Sequence, residues 1–153
     1  MKRDSLLVHL FETISSADKA MVVLRKTYDD CIKINPDIKY SDSELVLFEA
    51  LTSRFARACD LLTQKVMKTT IQVLGEDLKT FIDIANFFEK IEVLESADDL
   101  LEIRRIRNSI AHEYMEEKVE QLITEVLILT PKLFEIYEST KLYIEKKFGK
   151  IND

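Results

Sequence analysis

Arg107, Asn108, His112 and Tyr114 place a guanidinium, a carboxamide, an imidazole and a phenol within eight consecutive residues, Arg107-Asn-Ser-Ile-Ala-His112-Glu-Tyr114. The chain has two histidines, and His112 is the one set among polar neighbours. Arginine keeps its charge at any ordinary pH and offers donors matched to phosphate oxygens. Histidine exchanges protons near neutral pH. Together these groups suit acid–base work on a phosphodiester without a metal or a cofactor.

Helical phase decides which of these groups can meet. On an ideal helix Asn108 and His112, four apart, share a face, and Arg105, seven before His112, aligns with them. Arg107 follows Ile103 by four and precedes Ile110 by three, so it borders the apolar stripe. Tyr114 follows Ile110 by four and takes the same edge. A guanidinium pressed against a core edge stays charged and needs a partner or an anionic ligand. On one straight helix Arg107 and His112 point roughly 140° apart. Both reach one phosphate only if the helix ends or bends there, or if a second copy of the chain contributes. The second of these, a composite site at a dimer axis, is the arrangement the phase points to.

The elements that must position these groups read as helices. Two glycines and two prolines in 153 residues are too few for the turns of a β-rich fold. A first helix is predicted from about Ser5 to Ile34, its seam Leu7, Leu10, Ile14, Ala17, Met21, Leu24, Tyr28 and Cys31 alternating spacings of three and four. His9 lies off that seam and reads as a surface side chain. Asn35-Pro36-Asp37 breaks the helix. Ser41 with Glu44 forms a capping box for a second helix, from about Asp42 to Leu74. Its stripe is Leu45, Phe48, Leu51, Phe55, Ala58 and Leu62, and Gly75 is placed to cap its end. A third helix is predicted from Glu76 to about Leu94, with Leu78, Phe81, Ile82, Ala85, Phe88 and Ile91 as its apolar set. Ser96 with Asp99 opens the next, which turns Leu100, Ile103, Ile106 and Ile110 inward. The last runs from about Glu117 to Lys147, with Val119, Leu122, Val126, Leu129, Leu133 and Ile136 inward. Pro131 should kink it or begin a second segment.

The expected architecture is all-α: an antiparallel, up-down bundle of four to five helices, forming a single domain over residues 1–153. A coiled coil is the alternative that the first seam raises. The breaks at Pro36 and Gly75 favour the bundle.

Composition narrows the function classes. The net charge of -6 argues against a general nucleic-acid coat but leaves room for a local basic site. Arg104, Arg105 and Arg107 supply three positive charges in four positions. Arg54, Arg57, Lys65 and Lys68 on the second helix are candidates for the same groove. Glu113, Glu116 and Glu117 offset the patch. No run of about 18 apolar residues occurs, so no membrane span is expected, and no membrane partner is assigned. Met1-Lys2-Arg3-Asp4 offers no signal-peptide core, and Cys31 and Cys59 show no metal-ligand spacing; both fit a reducing cytoplasm. No Glu-x-x-His pair occurs, which disfavours a metal carboxylate bundle.

Arg107-Asn-Ser-Ile-Ala-His112-Glu-Tyr114 resembles the signature of the HEPN superfamily: an arginine, often followed by a polar residue, then four to six residues and a histidine. The tyrosine two residues after the histidine is similar to the HepT branch, toxin partners of minimal nucleotidyltransferases. The order of helices from about Leu6 to Leu122 is also like that family. The resemblance implies a homodimer with a cleft lined by both motifs, and a metal-independent ribonuclease acting on RNA. It implies that Arg107 and His112 are the catalytic pair, with Asn108 at the polar position beside them and Arg105 supporting. It also implies that Tyr114 is the acceptor to which a cognate nucleotidyltransferase antitoxin adds AMP, silencing the toxin. The competing class is a non-catalytic helical dimer that binds a nucleotidyltransferase and cleaves nothing.

The Tyr114 assignment has a direct check. Incubation with a cognate nucleotidyltransferase and ATP should raise the intact mass by the adenylyl group in the parent chain and leave a Tyr114→Phe chain unchanged. Equal modification of both chains would refute the site.

Overall fold

The computed structural model describes residues 2–35, 39–112 and 116–149, and of residues 116–118 the backbone alone. All regular structure among them is helical: α1 (Arg3–Cys31), α2 (Asp42–Asp60), a π-helical segment (Leu61–Met67), α3 (Lys68–Val73), α4 (Phe81–Lys90), α5 (Ala97–His112) and α6 (Glu116–Phe148). Side-chain pairs fix how the long helices run. Cys31 of α1 lies near Leu47 and Thr27 bonds Arg54, so α2 returns along α1. Tyr28 packs on Phe134 while Asp18 meets Lys141, so α6 also runs antiparallel to α1. Lys132 faces Asp99 and Glu125 faces Arg105, giving the same relation between α5 and α6. The result is a helical bundle around one contiguous apolar cluster.

Local signals in the sequence set most of the boundaries. Ser41 Oγ accepts from the Glu44 backbone N–H at 3.2 Å and Glu44 Oε1 accepts from Ser41 N–H at 2.9 Å, the capping box that starts α2. Gly75 takes φ +75°, a conformation that glycine adopts without steric cost. There Glu76 N–H bonds Ile71 C=O and Gly75 N–H bonds Gln72 C=O, closing the helix in a Schellman motif. Ser96 Oγ accepts from Asp98 N–H at 3.2 Å at the start of α5.

The third helix is shorter than its apolar pattern suggests. Residues 76–80 are not helical, and α4 begins after Thr80, whose hydroxyl accepts from Asp83 N–H at 3.1 Å. Thr80 and Asp83 form a second capping box, and that local cap outweighs the phase match of Leu78. Glu92, at φ 65°, ends the turn beyond α4. Two residues assigned to apolar stripes, Leu45 and Ile82, are exposed, while Ile84 is buried instead. α6 runs helical through Pro131, which has no N–H to give the Leu127 carbonyl. Of the break expected at Asn35-Pro36-Asp37, Pro36 and Asp37 lie outside the described residues.

The second helix is not one uniform α-helix. Seven residues, Leu61–Met67, wind with the wider π repeat. The buried pairs Ala58/Cys59, Leu62/Thr63, Val66/Met67 and Thr70/Ile71 recur every four residues. An α-helix drifts by about 40° at each step of four. Wider i→i+5 turns cancel that drift and keep all four pairs in the core. Thr63 Oγ1 also donates to the Cys59 carbonyl at 2.9 Å, competing for an acceptor that a regular turn would use. Thr124, Thr130 and Thr140 make the same bond inside regular helix, so the hydroxyl alone does not set the winding.

α1 packs against α2, the π segment, α3 and α6, and α2 against α5 and α6, so α2 is central. Phe55, fully buried at its middle, is the test of that arrangement. Phe55→Ala should cost about 3–5 kcal/mol in denaturant unfolding. A loss under about 1 kcal/mol would place the core elsewhere.

Candidate functional site

α5 carries the polar stretch. Ala97, Leu100, Ile103 and Ile106 bury its inner face, and Ile110 is half-buried. That anchoring fixes the phase of everything between. Arg104 and Arg107 are half-buried at the edge of the stripe, and Asn108, Ala111 and His112 are exposed.

Arg107 has a partner that the motif does not contain. Its Nε donates to Asp60 Oδ1 at 2.7 Å and its Nη2 to Asp60 Oδ2 at 2.9 Å. Asp60 is the last residue of α2, immediately before the π segment. The side chains are 29% and 40% exposed, so the pair is open to water on one flank. The hydrogen bond to Asp60 strengthens the hold of Arg107 on its proton, against a smaller opposing effect of burial. The contact is side-on: it uses Nε–H and one Nη2–H. A guanidinium has five N–H donors, so both Nη1–H and the second Nη2–H are left for another anion.

That free edge borders a groove of about 760 Å³ between α2, the π segment and α5. Arg57, Lys65, Arg104 and Arg107 line it, with Asp60 as its one carboxylate among the described residues, and Gln64 and Asn108 add amides. Arg104 also lies over the Phe81 ring at 4.2 Å, a contact that orients the guanidinium without neutralising it. Cys59 borders the groove but is buried, and burial, reinforced by neighbouring Asp60, pushes its thiol up to about 12. It therefore stays a neutral thiol. Cys31 is likewise buried, its thiol pushed up to about 11 chiefly by burial.

The structure brings Arg107, Asn108 and Arg104 to one groove, together with Arg57 and Lys65 of the second helix. His112 is not among the groove-lining residues. It is one turn beyond Asn108 on the same face, at the end of α5, and among the described residues its side chain makes no hydrogen bond or ion pair. Arg105 turns away: it donates to Glu102 at 2.6 and 3.0 Å and to Glu125 at 3.3 Å, bracing α5 on α6. The bond from Arg105 holds the Glu102 carboxyl below the usual carboxylate range. Lys68 does not line the groove either. Tyr114 lies outside the described residues, as does Glu113. His9 is exposed, with Nδ1 3.8 Å from Glu12 Oε2, and belongs to the surface. Among the described residues no helix is long and apolar enough to cross a membrane, and no cluster of three or more His, Cys, Asp or Glu is placed to hold a metal ion.

Asp60 and the π segment are the parts of the site that sequence reasoning misses. The π winding had a signal in the four-residue burial repeat. Asp60 had none, because its partner is 47 positions away. A half-exposed ion pair stabilises modestly, and bidentate geometry puts this one at the upper end of the range of about 0–1 kcal/mol for surface pairs. Asp60→Asn should therefore lower unfolding stability by no more than about 1 kcal/mol in a urea titration. A loss above about 3 kcal/mol would mean that the pair is a structural strut and not an open site.

No family model, no curated protein and no solved structure matches this chain.

Proposed function

We propose that this chain is a metal-independent endoribonuclease of the HEPN type, the toxin of a pair whose antitoxin is a minimal nucleotidyltransferase. The observation that carries the reading is the side-on clamp of Arg107 by Asp60, which leaves a fork of guanidinium donors unused on a residue that lines a cationic groove. A phosphodiester oxygen fits that fork as a second bidentate partner. His112, one turn along the same exposed face as Asn108, supplies proton exchange. The ribose 2′-hydroxyl attacks the adjacent phosphorus, giving up its proton to a base. The phosphorus–5′-oxygen bond breaks, and the departing oxygen takes a proton. Arg107 stabilises the charge that builds on the phosphoryl oxygens. The products are a 2′,3′-cyclic phosphate and a 5′-hydroxyl. DNA lacks the attacking hydroxyl and resists.

The helical phase that separates Arg107 from His112 makes the site composite. A homodimer that sets two copies of α5 side by side supplies Arg107 from one and His112 from the other, and two imidazoles divide the roles of base and acid. AMP added to Tyr114, two residues beyond His112, brings a phosphate and an adenosine to the same place and repels an RNA backbone. A second reading draws on a different aspect of the same geometry. Asp60 already balances the charge of Arg107, which suits a docking surface that presents Tyr114 to a nucleotidyltransferase and cleaves nothing.

Cleavage of an RNA oligonucleotide, with the new ends identified chemically, separates the two. His112→Ala should slow cleavage by about 10²–10⁴-fold, and the cyclic phosphate should disappear with it. A His112→Ala chain that cuts at the parent rate, or a parent chain that leaves RNA whole while still accepting AMP, would contradict the ribonuclease reading.

A further inference from the structure

Arg57 lines two cavities. One is the groove beside Arg107. The other, of about 230 Å³, is bounded by Ser16, Lys19, Ala20 and Val23 of α1 and by Arg54 and Arg57 of α2. Among the described residues the second cavity has no carboxylate in its lining. Arg57 is the side chain the two share, so they lie side by side as a track from α1 over α2 and the π segment to α5.

Six cations line this track: Lys19, Arg54, Arg57, Lys65, Arg104 and Arg107. Its one carboxylate, Asp60, is already engaged by Arg107. Among the described residues the first five make no salt bridge. Arg54 donates to the Thr27 hydroxyl and Arg104 lies over Phe81, and neither contact removes charge. Cations elsewhere are not all paired, but other grooves mix the two signs: Arg25, Lys26 and Lys141 share one with Asp18, Asp29 and Glu138, and Lys132 shares another with Asp99 and Glu135. The chain as a whole carries -6. A row of unmatched cations on an acidic protein is a costly arrangement unless an anion covers it, because like charges repel. From Arg54 to Lys65 the helix advances roughly 16 Å, which allows several phosphates of one strand to lie along it.

We infer that this track binds the phosphate backbone of single-stranded RNA, and leads the strand from Lys19 on α1 past Arg57 and Lys65 to Arg107. The inference deepens the ribonuclease reading and rests on it for the choice of polymer. The track grips charge and not base edges. It therefore gives affinity without sequence preference, and a single-stranded DNA of the same length should bind it about as well as RNA. Discrimination between the two is left to the chemistry at the 2′-hydroxyl.

The test is salt-dependent binding of a fluorescent single-stranded RNA to a His112→Ala chain, which leaves the strand uncut. Each phosphate contact with a single strand contributes about 0.7 to the slope of log affinity against log salt. Lys19→Gln, Arg57→Gln and Lys65→Gln together should reduce that slope by about 2 and weaken low-salt binding by about tenfold or more. All three side chains are exposed, so the fold should survive, and an unchanged thermal midpoint checks this. A control triple of equal charge, Lys26→Gln, Lys146→Gln and Lys147→Gln, should leave the slope as it was. Equal slopes for the track triple and the parent would overturn the proposal, as would equal losses in both triples. Binding of poly-glutamate in preference to RNA would overturn it in favour of an acidic protein partner. Track-dependent binding by a parent chain that never cuts RNA would uphold the track and sink only the ribonuclease reading.

Discussion

The contact between Asp60 and Arg107 is the constraint around which the candidate site is organised. It joins the last residue of α2 to the edge of α5. An arginine beside a core edge cannot shed its charge, so it must be matched or face water. Asp60 matches it from one side only. The guanidinium is thereby held in a fixed plane, with donors left over on a residue that lines the groove. A bond that satisfied every donor would have made Arg107 a strut. A free side chain would have left it a mobile surface charge. The side-on geometry gives neither, and that is what makes an anion site the natural reading.

The π segment belongs to the same arrangement. It follows Asp60 without a break and contributes Leu61, Thr63, Gln64 and Lys65 to the groove wall. Wider winding widens the helix locally. It lets one face of this stretch stay in the core while the other carries Gln64 and Lys65 toward α5. π turns are uncommon and are often found at functional sites. Here the winding has a core reason, the four-residue repeat of buried pairs, and a consequence at the surface, the placement of Lys65 beside the arginines.

Much of this fold was legible in the sequence because its signals are local. The Ser41–Glu44 box, Gly75 and the seam from Leu10 to Cys31 are readable within one or two turns, and each is where the spacing puts it. Thr80 with Asp83 was equally readable, but Leu78 matched the helical phase and drew the helix start too early. Leu45 and Ile82 show the limit of periodicity, which finds a stripe but not which edge of it a neighbouring helix covers. The site was legible only in part. Residue types singled out Arg107 and Asn108, and phase separated Arg107 from His112. Arg105 had the right phase for the His112 face, yet Glu102, three residues earlier, claims it. Asp60 depends on tertiary packing and left no mark near the motif.

Nitrogen-15 NMR of the arginine side chains, during titration with a dinucleotide whose 2′-oxygen is methylated, reports on Arg107 most directly. The clamp predicts that its Nε–H signal is protected from water and stays in place, while its Nη signals shift as the phosphate enters the free edge. An Nε–H that exchanges freely with water, or Nη signals unmoved at saturating ligand, would contradict it.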